Sequence, residues 1–249
     1  MAGPTDDSLV LRPVAYLRTP FAEKFGVPRQ SGLVPAAEGR VEFVPEFDRD
    51  EFVRGLEAFT HLWLITHFHQ NPPWTGSATV RPPRLGGNER VGLFASRTPN
   101  RPNPLGLSLV RLLGIEPAPG LALKVAGVDA VDGTPVFDVK PYLPWCEAPA
   151  DAAAGWAGAP PAVRDLSRVR LSPELAAHLG AQTLPSGESV LSLVRQVLTL
   201  DHQPAYQDEE ARVYGMTLAG WNIRWRPLAD GGVEVISADL VRPVRPRGA

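Results

Sequence analysis

The amino-acid sequence predicts a mainly β fold, a barrel or a sandwich, followed by a smaller α+β part. Three observations predict it. Strand-like segments follow one another closely from residue 9 to residue 139. The chain of 249 residues carries 27 prolines and 23 glycines, a punctuation that suits short strands and structured loops better than long helices. Segments with helical spacing are few, and two of the three lie beyond residue 170.

In order, strands are read over 9–17 and 40–44. A helix is read over 48–59, because Asp48 and Glu51 have the spacing of a capping box and Phe52, Val53 and Leu56 share a face. The strand at 61–69 alternates: Leu62, Leu64, Thr66 and Phe68 fall on one face, His61, Trp63, Ile65, His67 and His69 on the other. Further strands are read over 91–95, 105–115, 121–128 and 134–139, the last entered through the Asp132-Gly133 turn signal. Residues 148–161 are rich in Ala, Pro and Gly and read as a linker or long loop. The expected organisation is therefore a β domain over 1–147, a connection over 148–163, and a small α+β C-terminal domain over 164–249. That last domain is expected to hold helices over 172–179, with Ser172 as N-cap and Pro173 at the first helical position, and over 189–200. Its strands are expected over 211–218, 221–225 and 233–238.

Composition narrows the function. A net charge of −2 means that any nucleic-acid surface must be a local cluster of basic residues. The lone Cys146 excludes an internal disulfide and a cysteine zinc site, and fits a reducing cytoplasm. Residues 1–8 lack the charged and apolar regions of a signal peptide, and the apolar stretch 62–68 is too short to span a bilayer. A cytoplasmic protein without membrane attachment is expected. His61, His67 and His69 have no nearby carboxylate or cysteine to complete a ligand set, so no metal is expected. GxGxxG, GxxxxGK[ST] and GxSxG are all missing, which argues against a Rossmann cofactor site, a P-loop and an α/β-hydrolase.

The densest segment is GLFASRTPNRPNPLGLS at 92–108. Its three prolines limit the entropy lost on binding, and Arg97 and Arg101 suit phosphates, carboxylates or base edges. The same composition also fits a stiff turn between two strands. In VAGVDAVDGTPVFDVKPYL at 125–143, Asp138 and Lys140 share a face of an extended chain. They would form either a proton-transfer pair or a surface ion pair. EKFGVPRQ at 23–30 places Arg29 and Gln30 in a loop, and VRPPRLGGN at 80–88 adds Arg81 and Arg84 to the basic total.

In order, EKFGVPRQ, RGLEAFTHLWLITHFHQ (54–70), VRPPRLGGNERVGLFASRTPNRPNPLGLS (80–108), DGTPVFDVKPYLP (132–144), QPAY (203–206) and WNIRWR (221–226) cover nearly the whole chain. Together they resemble the TrmO family (TsaA-like or YaeB-like) of S-adenosylmethionine-dependent tRNA adenine N6-methyltransferases. The resemblance implies a β-barrel core and a cofactor bound outside any Rossmann fold. It also implies a homodimer, and methylation at N6 of threonylcarbamoyl-adenosine next to the anticodon of tRNA. By the same resemblance, S-adenosylmethionine falls to Pro28, Arg29, Gln30, His69, Gln70, Arg97, Leu107, Gly127, Val128, Asp129 and Ala130. Arg81, Arg84, Arg101, Asn103 and Tyr206 are expected to meet the tRNA. The target nitrogen is a weak nucleophile, so a polar group near the acceptor is needed, and Asp138 with Lys140 and Tyr142 is the expected set. The chain departs from many relatives at Asn100, where they carry an aromatic before the second arginine, and in its Ala/Gly-rich stretch at 152–159.

Overall fold

A computed structural model of the chain describes residues 9–86, 88–200 and 212–241. The elements in chain order begin with β1 (Ala15–Arg18), β2 (Glu38–Phe43), β3 (His61–His67), β4 (Thr79–Val80) and β5 (Val91–Gly92). They continue with β6 (Leu105–Glu116), β7 (Ala122–Ala126), β8 (Thr134–Pro141), α1 (Pro144–Glu147) and β9 (Val169–Arg170). α2 (Pro173–Gly180), α3 (Val190–Thr199), β10 (Tyr214–Leu218), β11 (Trp221–Pro227) and β12 (Val233–Leu240) complete the chain.

Six strands close into a barrel in the order β1-β2-β7-β6-β3-β8, with every pairing antiparallel. The expected alternation of β3 is what builds it. Leu62, Leu64 and Thr66 point inward and are buried, where they meet Leu17, Val41, Val110, Leu123, Val125 and Val136. β6 is long enough, at 12 residues, to serve two neighbours: Leu105 to Arg111 pair with β3, and Arg111 to Glu116 with β7. The register shift between Leu112 and Gly114, inside the pairing with β7, leaves Leu113 unpaired.

The barrel wears two different outer faces. Across β1, β2, β7 and the last residue of β6, Arg18 pairs with Glu42 at 2.9 Å, Arg40 with Glu116 at 2.6 Å and Lys124 with Glu116 at 3.0 Å. Hydrogen bonds from Lys124 and Arg40 hold the Glu116 carboxyl below its usual range. Along the first five residues of β6, by contrast, the outward positions are Leu105, Leu107 and Leu109, with Leu105 and Leu107 exposed.

β10, β11 and β12 form an antiparallel sheet, and β9 adds in parallel to the edge of β12. The two expected helices start where their caps predict. Ser172 accepts from Leu175 N and Ser189 from Ser192 N. Val190, Leu193, Val194, Val197 and Leu198, at helical spacing, are the buried face of α3.

The expected helix over 48–59 is not formed. Its place is taken by 3₁₀ turns at Pro45–Phe47, Asp50–Val53 and Leu56–Ala58. Gly55, at φ +85°, interrupts the helical path. The would-be cap, Asp48, accepts instead from Gly120 N and Leu121 N, and Asp50 accepts from Ala118 N. Those backbone bonds hold the Asp48 carboxyl below its usual range. The strand expected over 91–95 stops at Gly92 and turns into a 3₁₀ turn, Leu93–Ala95. The first strand is confined to Ala15–Arg18, and the C-terminal strand expected from residue 211 begins at Tyr214, residue 211 itself lying outside the described residues. The two-residue strands β4 and β9 are too short to carry a periodicity in the sequence. Among the described residues, no helix is long and apolar enough to cross a membrane.

Candidate functional site at one end of the barrel

Antiparallel alternation fixes where the loops go. β1, β7 and β3 end at the same mouth at which β2, β6 and β8 begin. Residues 19–37, 68–104 and 127–133 therefore all emerge at this mouth. Every residue assigned to the cofactor by resemblance lies in one of these connections, except Leu107, which stands two residues inside β6.

Hydrogen bonds gather the connections. Gly32 N donates to Gly127 O at 2.9 Å, and Leu109 N to Ser31 Oγ at 3.1 Å. This docks the segment following Pro28, Arg29 and Gln30 against the Gly127–Ala130 turn. Gly127 must be glycine there: its φ is +78°, and a Cβ would stand 3.1 Å from Gly32 Cα. Lys24 Nζ donates to Gln70 O and to Asn71 Oδ1, both at 2.8 Å, and Asn71 Nδ2 donates to Pro99 O at 3.0 Å. One amide side chain thus ties the first connection to both arms of the second. Thr19 Oγ1 donates to Ala130 O and Thr19 N to Asp132 Oδ1, which closes the third.

Within this ring two polar groups stand out. The Asp129 carboxyl is pushed above its ordinary range by burial, although Ser108 Oγ donates to it at 2.5 Å and the Arg97 charge also favours its ionised form. A desolvated carboxylate of this kind gains most from a cation placed beside it. His69 Nδ1 is buried and has no hydrogen-bond partner among the described residues. Arg97 is exposed and donates to Leu107 O at 3.4 Å. An acid, an orphaned imidazole nitrogen and a cation at one mouth suit a small ligand that carries both an ammonium or sulfonium and a carboxylate.

The first connection rests on the C-terminal sheet. Ala219 N donates to Pro20 O, and Thr217 N to Glu23 Oε1. Phe25, Tyr214 and Trp225 stack in sequence at 6.4 Å and 4.8 Å between centroids. Gly26, at φ +92°, is so close that a Cβ would lie 2.8 Å from Met216 Sδ.

The remaining expected residues are dispersed. Asp138 and Lys140 form an exposed pair at 3.0 Å on the outside of the barrel. Register sets Leu107 and Asp138 on either side of Ile65, so Asp138 stands two strand spacings, about 10 Å, from Leu107. Tyr142 is not brought to the mouth: its N bonds His61 O and its ring meets Trp63 edge-on at the opposite end, six strand residues or roughly 20 Å away. Arg84 donates to Ala159 O and is spent on the connection to the C-terminal part, while Arg81 and Asn103 are exposed. Arg101 donates to Ser96 O at 2.9 Å. Tyr206 lies outside the described residues. The histidines have separate surroundings: His61 bonds Thr60 Oγ1 and His67 stacks on Phe137. Among the described residues no cluster of His, Cys, Asp or Glu could hold a metal. A cavity of about 580 Å³ between α2 and β12 has Glu174, Glu234 and Asp239 on its lining, a poor surface for phosphates.

Lys24, Ser31, Asn71 and Ser108 were not anticipated. Only Ser108 leaves a trace in the sequence, as a hydroxyl on the inward face between Gly106 and Val110.

A closed antiparallel barrel with polar groups gathered in the loops of one mouth defines a β-barrel protein, distinct from the Rossmann class. Its family is the tRNA-methyltransferase O family, to which this chain belongs. The family's N-terminal domain matches residues 16–148 and its C-terminal domain residues 164–240. The chain is 43% identical over 230 residues to a tRNA (adenine(37)-N6)-methyltransferase of Escherichia coli, covering 91% of this chain and 96% of that protein. It is 44% identical over 217 residues to a putative S-adenosylmethionine-dependent methyltransferase of Pseudomonas aeruginosa, covering 86% and 90%. The crystal structure of TrmO from Pseudomonas aeruginosa superposes with a TM-score of 0.75 at 35% identity, covering 93% of this chain and 98% of that one.

Proposed function

We propose that this protein is an S-adenosylmethionine-dependent methyltransferase acting on N6 of adenosine 37 of tRNA, with threonylcarbamoyl-adenosine as the acceptor nucleoside. The observation that carries the reading is the Asp129, His69 and Arg97 set at the barrel mouth, in a chain of this family. Asp129 would take the cationic end of the cofactor, Arg97 its carboxylate, and His69 Nδ1 a polar edge. The backbone of Pro28, Arg29, Gln30, Gln70 and the Gly127–Ala130 turn would close around the remainder. Bound S-adenosylmethionine supplies an electrophilic methyl group on a sulfonium.

The chain's own contribution is orientation and proton handling. Rigid loops fix the approach of the acceptor nitrogen. Asp138, on the outer face in the same row as Leu107, is the group we assign to hold the N6 proton, with Lys140 paired to it at 3.0 Å. Arg81, Arg101 and Asn103 would meet the RNA backbone and bases.

The exposed Leu105 and Leu107 on the outer face support a homodimer. A tRNA substrate goes with a cytoplasmic location. We divide the chain into a catalytic barrel over 1–147, a connection over 148–163 and a C-terminal domain over 164–249.

The test combines two measurements. Nucleosides from tRNA of a strain lacking the protein should lose the N6-methylated form by mass spectrometry. Calorimetry should show Arg97→Ala weakening S-adenosylmethionine binding by about 1.5–3 kcal/mol without RNA. Unchanged nucleosides, or no heat from the wild-type protein, would overturn the proposal. Light scattering decides the dimer.

A further inference from the structure

Phe94 is 82% exposed, more than any other aromatic in the barrel's loops at this mouth among the described residues. It sits at the centre of the 3₁₀ turn Leu93–Ala95, and that turn is held on all sides. Leu93 is buried, and its N donates to Ala78 O at 2.9 Å. Ser96 bonds Leu93 O through both its N and its hydroxyl. Trp156, from the connection between the two parts of the chain, donates its indole N–H to Ala95 O at 2.9 Å. The ring therefore stands on a fixed base and does not lie down on the core.

The Arg101 side chain stands over one face of that ring. The Arg101 guanidinium lies 5.8 Å from its centroid and is itself oriented by the bond to Ser96 O. Residues 90–115 hold four arginines, Arg90, Arg97, Arg101 and Arg111, and no acid, in a chain whose net charge is −2. Arg97, at the mouth, follows Phe94 by three residues. A rigid exposed ring, backed by a guanidinium in a stretch without carboxylates, has the chemistry of a stacking platform for a nucleobase. A second copy of this chain would be a less suitable occupant, because an apolar ring in a basic stretch offers it little to match.

We propose that Phe94, backed by Arg101, stacks an unpaired base of the tRNA loop beside the target adenosine and so positions that loop. The proposal rests on the tRNA reading above. Phe94 is a positioning residue, so its loss should fall on RNA engagement and leave cofactor binding alone.

Phe94→Leu keeps apolar bulk and removes the π face. It should raise KM for tRNA by about 5- to 100-fold, with S-adenosylmethionine affinity by calorimetry unchanged. Phe94→Trp should restore KM to near the wild-type value. An anticodon stem-loop RNA with 2-aminopurine in its loop should show fluorescence quenched by the wild-type protein and by Phe94→Trp, and not by Phe94→Leu. The salt dependence of binding should stay the same in Phe94→Leu and flatten in Arg101→Ala.

Equal KM and equal quenching in all variants would overturn the proposal while leaving the methyltransferase reading standing. A fall in molecular mass by light scattering for Phe94→Leu, with RNA affinity intact, would overturn it in favour of a contact between copies. A wild-type protein that binds S-adenosylmethionine but methylates no tRNA and quenches no stem-loop would overturn both.

Discussion

Two loops meet at the barrel mouth, and they are made rigid in opposite ways. The segment of residues 19–32 contains two glycines at positive φ and one proline beyond Pro20, and it is held from outside by the C-terminal sheet. The segment of residues 92–104 contains three prolines and is held by its own turn, by Arg101 to Ser96 O and by one indole from the connection. The first is as firm as the packing of the whole molecule. The second is stiff by local chemistry, since proline limits the unfolded chain as much as the folded one. A protein that must hold a small ligand closely and meet a large one repeatedly has reason to separate the two kinds of rigidity.

The largest expected effect breaks the first kind. Trp225 is almost fully buried and ends the stack that supports Phe25. Trp225→Ala should cost about 3–5 kcal/mol in chemical denaturation. The protein that remains folded should bind S-adenosylmethionine more weakly while the amide exchange of residues 93–96 is unaltered. Equal loosening of both loops would erase the distinction.

Asp129→Asn should weaken S-adenosylmethionine binding by roughly 1.5–3 kcal/mol, yet leave unfolding unchanged or slightly improved, because a desolvated charge is removed. The sign with pH follows from the raised carboxyl. Between the usual carboxylate range and the raised value the folded state binds the extra proton, so the contribution of Asp129 to stability falls as pH rises through that window. Cofactor affinity should run the other way, rising with pH until Asp129 is ionised. Asp129→Asn should flatten both profiles, and two profiles identical to wild type would remove Asp129 from the site.

Asn71→Ala should act on both loops at once. It removes the bonds from Lys24 and to Pro99, each worth about 0.5–1.5 kcal/mol. Calorimetry and tRNA kinetics should both show modest losses, and a loss in only one would mean that the loops are independent. Trp156→Phe is the mildest, deleting one exposed hydrogen bond of about 0.5 kcal/mol. Faster amide exchange around Ser96, with cofactor affinity intact, is the expected result.

Legibility in the sequence follows the range of the forces involved. The alternation of β3 and the caps of α2 and α3 are local, so they could be read directly. The helix over 48–59 could not, because its cap was captured by backbone N–H groups some seventy residues away. The split of residues 91–95 into a two-residue strand and a turn depends on Ala78 and the strand Thr79–Val80, which lie beyond the reach of a local pattern. At the site, Asp129 and Arg97 came from family resemblance, and the topology then explained why they share a mouth. Lys24 and Asn71 were invisible, since their meaning lies in a contact between loops. Tyr142 is near Asp138 in sequence, but an extended strand carries four residues the better part of a barrel's height.

The Asn71 side chain has a further consequence in the language of linkage. Because one amide bonds Lys24 on one side and Pro99 on the other, the arrangement of the first loop biases that of the second. Any ligand that favours one arrangement of the pair changes the affinity of the other ligand by a coupling free energy, and the same factor must operate in reverse. If bound cofactor strengthens the hold on RNA, bound RNA strengthens the hold on cofactor to the same degree, and the order of arrival cannot change the affinity of the final complex.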